Sequence, residues 1–411
     1  MISTSIKKNK IPELSVISLN KEWEEKYRIL VNGSGIKDFS PFIEVWASDA
    51  SNKALSYFSH GIFRYFGKFP PPIARYLINK YVPDDGLVID PMCGSGTTLL
   101  EALLLGKKAK CYDVSPLAVL ISRVKATPIN KSKGIKDLEK ILSLIKSSKS
   151  KQASLIGLRN PDHWFLPETI RSLSKIRQAI NQIETKNSHK DLFMVAFLSI
   201  VRRVSRATTQ QGRLFLDVAT AEKDAIPFFE KKAREIIDSV SALPENNNIE
   251  IEQKSIMDKN DSITELADLI ICHPPYFNSY KYSGVNSLEL AWMNIDHAEV
   301  RKTEVREAFK VGKPEKVVEY IADMKQSLLN LKSHMKDNGR LALMIGDTVI
   351  KGQYIPVTKM LLDELKNTYC IDYSALRIPK FTEASWAASQ RRKGHQVGIN
   401  LCDLIIILKK I

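Results

Sequence analysis

No stretch of this chain approaches the ~18 consecutive apolar residues that a membrane helix needs, so no spanning segment is expected. The opening "MISTSIKKNKIPELSV" has basic residues with no apolar stretch behind them, and does not read as a secretory leader. Cysteine is scarce: Cys93, Cys111, Cys272, Cys370 and Cys402 include no CxxC pair and no cluster with histidine at metal-ligand spacing. That pattern excludes a zinc ribbon and a disulfide framework, and points to reduced thiols in a cytoplasmic protein without a metal. Acidic charge is also short. Against 61 Lys and Arg the 411 residues hold 46 Asp and Glu, a formal charge of +15 with an isoelectric point near 9.4. Such an excess favours a polyanionic partner.

A chain of this length exceeds one typical domain, so a main core with an inserted or appended unit is expected. Residues 1–55 form an N-terminal extension with few strong patterns, in which "PFIEVW" fits a short strand or a helical turn equally. From Ala74 to Tyr81, "ARYLINKY" has helical spacing, and "PDDG" breaks it before the strand "LVID". A glycine-rich turn, a helix and a second strand ending at Asp113 follow, which is the opening of a doubly wound α/β sheet. Residues 126–245 read instead as long amphipathic helices with no clear strand. Such a span far exceeds an ordinary connection, so a helical insert is expected there. The sheet resumes in "IEIEQKSIMD", "ADLIICHPPY" and "GRLALMIGD". "YCIDYSALRI" and "NLCDLIIILKK" then read as a terminal antiparallel hairpin. The core thus comprises residues 56–125 and 246–411.

The first candidate site is "LVIDPMCGSGTTLLEALLLGKKAKCYDVSP". Gly94 and Gly96 let backbone approach a ligand closely, and the helix that follows offers free N–H groups. Asp113 closes the next strand 23 residues after Asp90, near the spacing at which an acid meets a ribose diol. Leu99 stands where the dinucleotide fingerprint needs its third glycine, and the P-loop Gly-Lys-Ser/Thr is missing. A phosphate-free adenosyl cofactor fits better, with Asp90 toward a cationic amino acid moiety and Asp113 toward the ribose. A structural βα turn is the bland alternative.

"DPMCGSGTT" resembles motif I of the S-adenosylmethionine-dependent DNA amino-methyltransferases, the cytosine-N4 and adenine-N6 type. "HGIFRYFGKFPPPIARYLI" just before it is similar to the family's motif X segment. The resemblance implies a Rossmann-like methyltransferase sheet with S-adenosylmethionine as cofactor. It implies that Asp90, Pro91, Met92, Cys93, Gly94, Ser95, Gly96, Thr97, Asp113 and Val114 surround that cofactor, with Lys68, Phe69 and Pro70 at its methionine end. By the family's topology Asp258, ending the third strand, lies beside the adenine ring.

The second site is "DLIICHPPYFNSY", where an apolar strand stops at a cysteine, a histidine and two prolines. Methylating an exocyclic amino group is hard because the nitrogen lone pair is delocalised into the ring. Rigid hydrogen-bond acceptors turn that nitrogen toward tetrahedral geometry. Proline fixes φ and removes competing donors, so Pro274 and Pro275 can hold a carbonyl aimed at the base while Tyr276 supplies a stacking face. In a duplex the base must first be flipped out, and an aromatic wall compensates ~1–3 kcal/mol of its lost stacking. "HPPYF" resembles motif IV of the same family, with His273 in place of the usual Asp, Asn or Ser. A neutral imidazole has one acceptor nitrogen and can stand in for the side-chain oxygen; a protonated one cannot, so activity is expected to fall as His273 titrates. Asn278, Tyr280 and Tyr282 are candidates to close over the base, although ordinary surface packing is the plainer reading of each.

"RRVSRATTQQGR" offers Arg202, Arg203, Arg206 and Arg213 for phosphate contact, and "SQRRKGHQ" adds Arg391, Arg392 and Lys393. Solvated faces are the plainer reading of both. Trp164 of "NPDHWF" reads as an anchor in the insert's own core. The expected partner is double-stranded DNA, ranked ahead of RNA, with a cognate restriction endonuclease allowed by the resemblance. Cytosine N4 is favoured over adenine N6 because the first motif position lacks a carboxylate. An RNA guanine-N2 methyltransferase and a non-catalytic nucleic-acid-binding protein of the same fold are the alternatives.

Overall fold

The computed structural model describes residues 11–18, 43–48, 50–51, 53–148, 154–210, 213–245, 248–258, 265–278, 281–306, 313–351, 353–379 and 403–411. Arg391, Arg392, Lys393 and Tyr280 lie outside them.

Among the described residues the strands are β1 (Ser15–Ser18), β2 (Ile43–Ser48), β3 (Leu87–Asp90), β4 (Lys108–Asp113), β5 (Ala207–Gln210), β6 (Arg213–Leu216), β7 (Ile249–Gln253), β8 (Ala267–Cys272), β9 (Met335–Ile345), β10 (Thr348–Ile350), β11 (Gln353–Ile355), β12 (Tyr369–Pro379) and β13 (Asp403–Lys410). Nine of them form one sheet in the order β1-β2-β12-β13-β9-β8-β3-β4-β7. The five from β9 to β7 run parallel to one another, whereas β13 is antiparallel to β9 and to β12.

The central strands are apolar throughout because both sheet faces are covered. Every residue of β3 and of β8 is buried. Side chains alternate between the faces with the pleat. Val88, Leu269, Ala342 and Ile405 enter one core, while Ile89, Ile270, Leu343 and Ile406 enter the other. The first core is roofed by α1 (Pro71–Tyr81), α2 (Thr97–Leu104), α3 (Pro116–Ala126), α4 (Lys131–Ser147), α5 (Pro167–Gln182), α6 (Asn187–Val204) and α7 (Ile226–Val240). The second lies under α8 (Val317–Lys332) and α9 (Val357–Leu365). Helices on both faces of a largely parallel sheet make the fold a doubly wound α/β structure, Rossmann-like, with the terminal antiparallel hairpin expected from the sequence.

Ile43–Ser48, left open between strand and helical turn by the sequence, is a strand pairing in parallel with β12, so the N-terminal extension widens the sheet. Two expectations need correction. The 126–245 segment is not free of strands: β5 and β6 form a small hairpin directly after α6. Its helices have no core of their own either, since Leu138, Ile176, Phe193, Phe197 and Phe229 are continuous with the sheet's first core. Trp164 packs against that same core, only partly buried.

From β3 the chain moves outward through β4 to β7, then returns to β8 on the other side of β3. The order reverses between β3 and β8. Outside the carboxyl ends of strands at such a reversal lies the ligand crevice of an open α/β sheet.

Candidate active site

Three sequence segments meet at that crevice. β3 ends at Asp90, β4 at Asp113 and β8 at Cys272, and β3 pairs directly with both of the others. A single cleft is lined by Pro91, Met92 and Gly94 after β3, by Asp113 and Val114 after β4, and by His273 and Pro275 after β8.

The glycines of the loop after β3 let its backbone approach the cleft closely. Gly94 (φ +51°) and Gly96 (φ +73°) occupy the left-handed region that side chains disfavour. A Cβ on Gly94 would meet the ring of Tyr65 at 3.0 Å, and one on Gly96 would meet Oγ of Ser122 at 2.6 Å. The Gly96 N–H donates to the carbonyl of Cys93 at 2.8 Å, and Ser122 Oγ donates to the carbonyl of Gly94 at 2.9 Å. Cys93, Ser95, Gly96 and Thr97 are buried beneath the loop, and Lys125 Nζ reaches Ser95 Oγ at 3.2 Å.

The two acids divide their work differently from the expectation. Asp90 is buried, and its carboxylate accepts from Thr98 Oγ1 at 2.5 Å and from the Met92 N–H at 3.2 Å. It clamps the loop and does not line the cleft. Burial pushes its pKa up to about 7, against those two hydrogen bonds. Asp113 does line the cleft. Its oxygens accept from the N–H groups of Gly94 and Ser115, both at 2.8 Å, so it ties the glycine loop to the end of β4. Burial holds its pKa at about 6.

Asp258 is a correction. β7 stops at Gln253, and Asp258 lies past its end, exposed and outside the lining, which is made instead by Ser255, Ile256 and Met257. The chain turns away from the sheet before the acid is reached, so the surface here is largely apolar.

On the opposite wall His273 Nε2 lies 3.2 Å from Tyr276 Oη, and the ring of Phe69 is 5.4 Å from the imidazole. Burial lowers the pKa of His273 to about 4; nearby Asp403 raises it and Arg377 lowers it. The imidazole is therefore neutral at ordinary pH, able to accept through one nitrogen. Tyr276 stands behind it, half-buried. A Cβ on Gly346 would meet that ring at 3.1 Å, and the Asp403–Arg377 ion pair closes the same end at 2.5 Å. Pro274 is buried and Pro275 faces the cleft.

In the segment before α1, Lys68 donates to the carbonyl of His60 and Pro70 is buried at the helix start. The segment is anchored by Glu101, which is fully buried on α2 and accepts from Tyr57 at 2.5 Å, His60 at 2.7 Å and Arg75 at 2.7 Å. Its own pKa is raised by burial, and that of His60 is pushed well below its usual value by burial and by Lys125, Lys68 and Arg75. The Nε2–H of a neutral His60 is thus the donor.

Sequence reasoning missed Tyr65, Gly67, Thr303, Glu304 and Val305, all of which line the cleft. Tyr65 and Gly67 sit inside the quoted "RYFGKFP" and were within reach of that reading. Nothing in "KTEV" marks 303–305, which arrive through tertiary folding alone. Tyr282 lines the cleft, while Asn278 adopts a left-handed φ of 60° at the turn after the motif.

The basic run is split. Arg202 and Arg203 are in the last turn of α6, Arg206 precedes β5 and Arg213 opens β6. Arg202 is committed to Glu289 at 2.8 Å and to the carbonyl of Val285 at 2.8 Å. Arg206 is half-buried, with its backbone held by Trp164 and Asp217. Arg203 and Arg213 are exposed. No helix of the described residues is long and apolar enough to cross a membrane, and no group of three His, Cys, Asp or Glu among them is placed to hold a metal.

A family model described as "DNA methylase" matches residues 5–123. Type II methyltransferase M.MvaI of Kocuria varians is 27% identical over 310 residues, covering 67% of this chain and 68% of that protein. Over these stretches the chain is similar to DNA methylases and type II methyltransferases. Type II methyltransferase M.MjaII of Methanocaldococcus jannaschii is 33% identical over 166 residues, which is 40% of this chain and only 28% of that protein. Among solved structures TrmN from Thermus thermophilus aligns with 84% of this chain and 49% of its own at 10% identity and a TM-score of 0.32, too loose to carry an argument. The glycine loop beside Asp113, and His273 with Pro275 after β8, line one cleft, while Pro274 and Tyr276 are not part of its lining.

Proposed function

We propose that the protein transfers a methyl group from S-adenosylmethionine to an exocyclic amino group of a flipped base in double-stranded DNA, cytosine N4 ahead of adenine N6. The observation that carries this is the shared cleft: the loop after β3, the acid after β4, and His273 and Pro275 of the His-Pro-Pro-Tyr segment after β8 line it together.

The residues present fit an adenosyl ligand. Asp113 keeps acceptor capacity beyond its two backbone bonds and stands where a ribose diol would donate. Val114, Ile256 and Met257 give an apolar slot for adenine. The glycine loop lets the backbone close on the sulfonium-bearing chain. When bound, the cofactor supplies an electrophilic methyl group.

The chain's own residues then do the following. Asp90, Thr98 and the Met92 N–H hold the loop in shape. Asp113 orients the nucleoside end. A neutral His273 accepts from one amino hydrogen of the base, and the rigid Pro-Pro backbone accepts from the other, raising the nitrogen lone pair toward the methyl group. Tyr276 walls the base, replacing part of its lost stacking. The first motif position carries an imidazole in place of a carboxylate, which favours the cytosine reading. The motif resemblance and the matching family model, described as "DNA methylase", support DNA as the substrate.

The test is incubation with methyl-labelled S-adenosylmethionine and duplex DNA or total RNA, followed by digestion to nucleosides. Label in N4-methylcytosine is expected. Label in a guanine derivative of RNA, or none at all with cofactor bound, would overturn the proposal.

A further inference from the structure

The Phe63–Gly67 loop, whose Tyr65 and Gly67 line the cleft, contributes Phe63 and Arg64 to a second hollow, a bowl of about 520 Å³. Arg64, Arg202, Arg203 and Lys223 line it, with Thr208 beside them, against the single carboxylate of Glu289. The arrangement is graded. Arg202 is nearly buried and held in place by Glu289 at 2.8 Å and by the Asn286 side chain at 3.3 Å, so the floor carries a fixed, neutralised pair. Around it Arg64, Arg203 and Lys223 have no carboxylate partner among the described residues. Their positions are set by uncharged contacts: Arg203 over the ring of Phe228 at 4.8 Å, Lys223 Nζ donating to the Arg203 carbonyl at 3.0 Å, and Arg64 over Phe66 at 5.4 Å. Three cations without a carboxylate partner, converging on a concave, hydroxyl-bearing surface, form an anion site, because an entering anion lowers their mutual repulsion.

We infer that this bowl seats a backbone phosphate of the double-stranded DNA on which the proposed reaction acts. The inference rests on that reading for the identity of the polyanion, but the bowl is separate from the cleft. It also has a link to it. The guanidinium of Arg202 lies over the same Phe66 ring, at 5.6 Å, as that of Arg64, and the neighbours of Phe66, Tyr65 and Gly67, line the cofactor cleft. A phosphate drawn in by Arg64 and Arg203 therefore bears on the loop that walls the cofactor, and registers the strand against the cleft. Phosphate contacts of this kind position a protein on DNA without reading sequence.

The experiment measures duplex DNA binding by the full chain across a salt series, using fluorescence anisotropy and no methyl transfer. Each phosphate neutralised adds about 0.9 to the slope of log affinity against log salt. The double variant Arg203→Gln/Lys223→Gln is expected to lower that slope by one to two contacts' worth, about 0.9–1.8, for duplexes of any sequence. Its affinity for S-adenosylmethionine, or for any other ligand of the cleft, should stay within about twofold. Arg203→Lys/Lys223→Arg, which keeps both charges, should restore the slope. Lys133→Gln/Lys136→Gln, removing two exposed charges from α4, serves as the matched control and should leave it unchanged. A bowl variant whose slope equals that of wild type, or equals that of the control, overturns the inference, as does a wild type that does not bind duplex DNA. Because the readout is binding, loss of the slope difference and failure of methyl transfer are separate results.

Discussion

Asp113, at the end of β4, and His273, just past the end of β8, line the same cleft with β3 lying between their strands. The reach across one strand is what brings the acid proposed to bind the nucleoside and the segment proposed to grip the base together. Strands in a sheet lie ≈ 4.7–4.9 Å apart, so two strand spacings separate the walls by roughly 10 Å at their roots.

Gly96→Ala should cost cofactor affinity before it costs the fold. The new Cβ meets Ser122 at 2.6 Å, and the φ of +73° adds strain. About 1–3 kcal/mol of destabilisation is expected from the backbone alone. Adding Ser122→Ala should recover part of the loss in a calorimetric titration. If Gly96→Ala binds S-adenosylmethionine as wild type does, the loop is not the cofactor's cradle.

Asp113→Asn replaces one acceptor oxygen by an amide that opposes a backbone N–H of Gly94 or Ser115. An unsatisfied donor of this kind costs ~1–3 kcal/mol, or roughly 5- to 150-fold in cofactor dissociation constant. Asp90→Ala should abolish cofactor binding by releasing the loop from Thr98 and Met92. Equal affinity in either variant and the wild type contradicts the assignment.

The pH dependence separates the acids from the histidine. The pKa values of Asp90 and Asp113 are raised by burial from 3.8 to about 7 and about 6, so between about pH 4 and 7 the folded state binds more protons than the unfolded one. These two groups therefore make the protein more stable as pH falls through that window. His273, lowered from 6.5 to about 4, contributes with the opposite sign and costs stability over the same fall. Thermal unfolding of Asp90→Asn across pH 4.5–7.5 should show less stabilisation on acidification than wild type. An unchanged curve contradicts the buried-acid account.

His273 does not titrate where the unshifted imidazole would. Burial moves it to about 4, so the expected decline of activity lies below pH 5, and the rate between pH 5.5 and 8.5 carries no His273 step. Its role is tested by substitution instead. His273→Asn keeps an acceptor oxygen and should hold kcat within about tenfold, whereas His273→Leu should lose about 10²-fold or more, as other lost acceptors and donors at reacting groups do. Equal rates in the two variants contradict an acceptor role.

Gly346 has no side chain where the Tyr276 ring passes, and Gly346→Ala brings a Cβ to 3.1 Å from it. The ring must shift by a few tenths of an ångström. Methyl transfer is expected to fall severalfold with cofactor affinity unchanged, as in Tyr276→Ala but less severely. Loss of cofactor binding in Gly346→Ala would place Tyr276 on the wrong wall.

Much of this site was legible in the sequence for a physical reason. β3 and β8 are apolar runs that end abruptly, at Asp90 and at Cys272, and chemistry clusters where such strands stop. The glycines announced their φ > 0 positions. Partners were not legible. "RRVSRATTQQGR" gives no sign that Arg202 is held by Glu289, nor that Arg64 and Lys223 join Arg203, because charge runs do not encode what folds against them. The short strand at Ile43–Ser48 has too little alternation to separate it from a helical turn. Asp90 was assigned to the ligand, but its nearest donors are Thr98 and Met92, a local closure visible only in three dimensions. Thr303–Val305 reach the cleft by the packing of a distant turn.

The central claim, that methyl donor and target base meet in one cleft, is tested most directly with a bisubstrate conjugate joining an adenosyl group to the exocyclic nitrogen of cytosine. The account predicts tighter binding than S-adenosylhomocysteine, weakened separately by Asp113→Ala and by Tyr276→Ala. Binding no tighter than S-adenosylhomocysteine, and indifferent to Tyr276→Ala, would contradict it.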